Sequence, residues 1–153
     1  TTIEDLPQER APTKAPLLAS TDLRALSSQV SEVVGKFAKE ADEANFFVKS
    51  WLRRNTQQRT GKTIKEWSEF AESLAIECMR REAAKGDLAA QKSIEKAVRS
   101  RVPDLLKLAE FFKGQKEDVK GFFKDPKQRD EALVELNRRE AVMNQMAQAL
   151  GSD

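Results

Sequence analysis

Side chains that commonly carry catalysis are scarce in this sequence, and those present lack partners at the spacing chemistry requires. The chain holds no His and a single Cys, Cys78. Without imidazole there is no common general base, no Ser-His-Asp or Cys-His arrangement, and none of the His-containing metal sites found on helices. Cys78 stands five residues from the nearest Ser, at a position that recurs with apolar neighbours, so it is expected as a small core residue. Gly61-Lys62-Thr63 matches the last three positions of a phosphate-binding loop. That loop needs a Gly where Thr56 stands, and a strand before it where the pattern is helical. Two carboxylate groups, Glu40, Asp42 and Glu43, and Glu66, Glu69 and Glu72, have the spacing of solvated helix faces with Lys and Arg nearby. The expectation is a non-catalytic chain with no catalytic, cofactor-binding or metal-binding residues.

Binding chemistry is better represented. Between Ala44 and Lys65 stand Lys49, Arg53, Arg54, Arg59, Lys62 and Lys65, with no acidic residue among them. Part of this clustering suits the negative end of a helix. As a set, the six cations are the candidate nucleic-acid-binding residues, through salt-sensitive phosphate contacts. The second feature is paired phenylalanine: Phe46-Phe47, Phe111-Phe112 and Phe122-Phe123. Neighbours on a helix point about 100° apart, so both members of a pair rarely face one core. Extra core contact from short helices is the favoured explanation. The functional one makes Phe111, Phe122 and Phe123 aromatic anchors for a protein partner. A third reading joins Phe46, Phe47, Trp51 and Leu52 to Lys49, Arg53 and Arg54 as a membrane-surface face. It ranks last, because the apolar stripe assigns Phe47 and Trp51 to the core.

The elements behind these residues are helical. Among 153 residues, hydrophobic side chains make up 39% and charged ones 34%, with six Gly, five Pro and no Tyr. Such composition favours helices and suits one folded domain. A heptad template from Leu23 runs through Leu26, Val30, Val33, Phe37, Glu40, Ala44, Phe47 and Trp51, broken only by Glu40. It predicts one helix from an N-cap at Ser20 or Thr21 to about Arg54, roughly 50 Å long at the helical rise. Asn55 to Lys62 reads as a loop. Thr63 and Glu66 form a capping box for a helix carrying Ile64, Trp67, Ala71, Leu74 and Cys78 inward. Gly86 closes that helix, and Asp87 caps a shorter one with Leu88, Ile94 and Val98. Pro103 opens a segment burying Leu105, Leu106, Ala109 and Phe112, and Gly114 and Gly121 bracket a weak piece around Val119. Asp125-Pro126 starts the last helix, which buries Leu133, Leu136, Met143, Ala147 and Leu150.

The fold class that follows is all-α: an antiparallel bundle of three long helices plus two or three short ones, spanning residues 20–153. Residues 1–19, with Pro7, Pro12 and Pro16 and no periodicity, read as an extended linker. Because the chain opens on Thr1 rather than Met, it is expected to be part of a larger protein. The net charge of +2 excludes a polybasic or acidic-tail function for the whole domain. One Cys fits a reducing compartment, and no apolar run approaches a membrane span, so a cytoplasmic location without integral membrane association is expected. The leading functional expectation is a protein-interaction domain that docks or recruits a partner for its parent chain. The alternative is an accessory nucleic-acid-binding domain using the basic 49–65 region.

Overall fold

The computed structural model describes residues 20–151 of the chain, so the linker expected over 1–19, and the side chains of Ser20 and Thr21 expected to cap α1, lie outside the described residues. Six helices follow one another: α1 (Ser20–Glu43), α2 (Phe46–Thr60), α3 (Ile64–Ala83), α4 (Leu88–Arg99), α5 (Val102–Phe122) and α6 (Pro126–Gly151). No strand occurs among the described residues, and the chain is an all-α helical bundle. The closest pairings are α5 on α6 and α1 on α3; α6 also packs along α1, and α4 covers α3 and α6. One apolar core runs through them, centred on Val30, Val33, Trp67, Leu74, Phe112 and Met143.

Local chemistry ends the helices where the expected signals stand, with two exceptions that matter later. The capping box at the start of α3 forms in both directions: the Thr63 hydroxyl accepts from Glu66 N at 3.1 Å, and Thr63 N donates to Glu66 Oε1 at 2.8 Å. Gly86 takes φ 86°, a left-handed conformation that disfavours any side chain. Asp87 then caps α4 by accepting from Ala90 N at 3.0 Å, and Asp125 accepts from Lys127 N as Pro126 opens α6.

The first exception is the expected 20–54 helix, which breaks at Ala44-Asn45. Asn45 is extended (φ −65°, ψ 167°) and its side chain accepts from Val48 N, so it caps a separate α2. A strong cap overrides a hydrophobic repeat that continues unbroken across it. The expected 55–62 loop is likewise corrected, because α2 continues to Thr60 and turns only at Gly61, φ 78°. Thr56 and Thr60 are buried there, their hydroxyls donating to Leu52 O at 2.7 Å and Thr56 O at 2.6 Å. The second exception is α5, which passes through Gly114 and Gly121 as one 21-residue helix. Each interior Gly costs about 1 kcal/mol relative to Ala, less than α5 gains by burying Phe111 and Phe112 against Phe37, packing Val119 on the core and lying along α6. Leu88 and Leu106, expected inside, are exposed.

Buried ions tie the far end of the bundle. Arg81 Nε lies 2.5 Å from Glu95 Oε2, both side chains almost fully inaccessible, and Arg99 approaches the other carboxylate oxygen at 3.2 Å. Arg99 Nε also donates to the carbonyl of Leu150 at 2.6 Å, satisfying an orphan acceptor in the last turn of α6. Nearby, Arg101 bridges α5 to Glu77 of α3 at 2.7 Å.

Candidate docking groove

The break at Asn45 decides what the opposite end of the bundle presents. By restarting the chain as α2, it turns the Phe46-Phe47 pair out of the α1 stripe. Phe46 is 76% exposed and Phe47 82%, so the expected core placement of Phe47 is corrected. Trp51 is only half-buried, and it meets Phe122 of α5 edge-on with centroids 4.9 Å apart. Beneath these rings the C-terminal ends of α1 and α5, the first half of α2 and the first half of α6 enclose an apolar groove of about 880 Å³. Phe37 and Leu136 form its floor, while Val119 and Phe122 wall it from α5.

Two polar side chains reach that floor. Arg139 is almost wholly buried, donates to Glu40 Oε2 at 2.7 Å and Glu135 Oε2 at 2.9 Å, and stacks its guanidinium 5.8 Å from the Phe112 ring. Its charge is therefore neutralised in place. Glu135 also accepts from Arg138 at 3.0 Å. The hydrogen bonds from Arg138 and Arg139, with their positive charges, hold its carboxyl at about 2 against partial burial. Gln115 is different: it is 7% exposed, and its buried Oε1 has no hydrogen-bond partner among the described residues. An orphaned buried acceptor costs about 1–3 kcal/mol.

The anchor phenylalanines expected from the sequence divide. Phe122 is 60% exposed and Phe123 37%, both lining the groove. Phe111 is 3% exposed and packs edge-on against Phe37 at 5.7 Å. It belongs to the core and is corrected out of the partner-facing set, because the continuous α5 turns residue 111 inward toward α1. Sequence reasoning left out Phe46 and Val48 as anchors for a partner protein, although the membrane-surface reading had named Phe46. The signal that finds them is Asn45: a helix restarted there cannot keep the α1 register.

The basic region is less open than its sequence implies. Lys49 lies 3.7 Å from Asp42, Arg59 grips Asp118 with two hydrogen bonds of 2.8 and 3.3 Å, and Lys62 sits 4.0 Å from Asp104 and over the Trp67 ring. Each carboxylate comes from another helix. Only Arg53, Arg54 and Lys65 of the six have no partner among the described residues. Cys78 is buried and unbonded to another sulfur, and burial pushes its thiol up. The described residues contain no cluster of three or more potential metal ligands, and none of their helices is long and apolar enough to cross a membrane.

Fold and surface thus define an all-α bundle with an aromatic-rimmed groove at one end. Compared with protein-family models, curated proteins and solved structures, the chain matches none.

Proposed function

We propose that this chain is a non-catalytic protein-docking module and that the groove between α1, α2, α5 and α6 is where it docks. The observation that carries the reading is the set of exposed rings around one apolar cleft: Phe47, Phe122 and Phe123 line it, and Phe46 packs on Phe47. Scattered exposed apolar residues are ordinary on a protein surface; a contiguous aromatic patch beside a cleft is the usual mark of an interface. Buried aromatic anchors dominate binding energy at such surfaces.

The test is affinity capture from the organism that encodes the chain, comparing wild type with a Phe47→Asp/Phe122→Asp double variant. Specific capture by wild type and its loss in the folded variant supports docking through this face. Equal recovery of the same proteins by both overturns it. The nucleic-acid reading has less support, since three of its six cations are engaged by carboxylates. It expects salt-dependent retention of DNA or RNA that falls with Arg53→Glu/Arg54→Glu, and retention that does not change rejects it.

A further inference from the structure

We infer that the protein docked in the groove is a second copy of this chain, related to the first by a two-fold axis. This deepens the docking reading above and rests on it. A two-fold interface uses one patch twice, so the patch must be self-complementary in shape and in charge. The groove face meets both demands.

Its area is of the right size. From their fractional exposures, Phe46, Phe47, Val48, Phe122 and Phe123 together leave about 600 Å² of apolar side chain open to solvent, taking ordinary side-chain areas. A standard stable interface covers about 800 Å² per partner, of which somewhat over half is apolar, about 450–500 Å². The exposed aromatics of one face therefore supply the apolar part of a dimer interface without recruiting any other surface. Phe46 packs edge-on against Phe47 at 5.8 Å, so the pair stands out as one projection. The 880 Å³ groove beside it is large enough to receive such a projection from the facing copy.

Charge is arranged in the same sense. On the α2 side, just past the residues that line the groove, Arg54 lies seven residues beyond Phe47, two turns along the same helical face, and has no partner among the described residues. On the α6 wall, Glu131 lines the groove and also has none. A two-fold axis laid along the groove brings the α2 side of each copy to the α6 wall of the other. Arg54 then meets Glu131 twice, once at each side. A partner of a single charge sign would leave one of these walls opposed by like charge; a second copy satisfies both.

The experiment is sedimentation of the full 153-residue chain across concentrations from about 1 to 200 µM, a range that brackets a micromolar dissociation constant. The expected result is a monomer–dimer equilibrium. Phe47→Asp/Phe122→Asp should be monomeric throughout while keeping the helical circular dichroism of wild type. Arg54→Glu should weaken dimerisation about tenfold, and Arg54→Glu/Glu131→Arg should restore it. A wild type monomeric at every concentration overturns the inference, as does a dimer indifferent to all three variants or a charge swap without rescue. Such a monomer that still captured a host protein through Phe47 and Phe122 would retain the docking reading and lose only the second copy. Binding to anionic vesicles by that monomer would overturn both.

Discussion

Replacing Thr60 by Val removes one hydroxyl and almost no volume, yet it should loosen the whole α2 wall of the groove. The only buried residues of α2 are Thr56 and Thr60; no apolar side chain of this helix is fully buried. Its C-terminal end is instead held by the Thr60 hydroxyl, which accepts from the indole Nε1 of Trp67 at 2.8 Å and from Lys62 N at 3.2 Å. Trp67 is fully inaccessible, so its N–H finds no water once the acceptor is gone. Leaving that donor unsatisfied costs about 1–3 kcal/mol, and the other lost hydroxyl bonds add about 0.5–1 kcal/mol. Because Val fills the same space, no cavity contribution enters. The expected loss is about 2–3 kcal/mol in urea unfolding followed by far-ultraviolet circular dichroism, with unchanged slope. Thr60→Ser keeps the acceptor and should lose less than about 1 kcal/mol. Amide exchange along α2 should accelerate in the Val variant more than along α3. A Thr60→Val protein within about 0.5 kcal/mol of wild type would refute the idea that this hydroxyl anchors the helix.

Three further outcomes are expected. Glu95→Ala removes the buried carboxylate that Arg81 and Arg99 share, and breaking a buried pair in this way should cost about 3–5 kcal/mol in the same assay. Glu135 has its carboxyl lowered from 4.5 to about 2 by Arg138 and Arg139, so its contribution is complete above the unfolded value and lost as pH falls through the folded one. Glu135→Gln should therefore cost about 1–2 kcal/mol at neutral pH after solvent screening, and the difference from wild type should vanish near the bottom of that window. Gln115→Met replaces an orphaned acceptor with an apolar side chain of similar size and should stabilise the bundle by about 1 kcal/mol in thermal unfolding.

What the sequence made legible was chemistry confined to a few neighbouring residues. The Thr63-Glu66 capping box, the Gly86-Asp87 stop and start, and Asp125-Pro126 each act within one turn, and each stands where expected. Apolar spacing likewise identified most of the core, including Val30, Val33, Trp67 and Leu74. Where a local signal and a long-range one competed, the sequence alone did not tell which would win. At Asn45 the heptad continued through Phe47 and Trp51, but the capping geometry broke the helix. At Gly114 and Gly121 the local preference was to stop, but packing on α6 carried α5 onward.

The groove itself was not legible because no stretch of sequence contains it. Its walls come from four helices, and nothing local distinguishes the buried Phe111 from the exposed Phe122. The same holds for charge. Asp118 is 59 residues from Arg59, so a run of cations that looked unopposed is half neutralised from a distance. Pairing across helices consumed the electrostatic signal, while the aromatic signal survived as exposed surface.

Docking through the aromatic groove is tested most directly by site-specific photo-crosslinking in living cells of the source organism. A photoreactive phenylalanine analogue would replace Phe47 at the groove or Met79, an exposed apolar residue of α3 outside it. Discrete protein adducts from position 47, a second copy of the chain foremost, and none from position 79 are the expected result. Adducts of equal yield from both positions, or from position 79 alone, would contradict it.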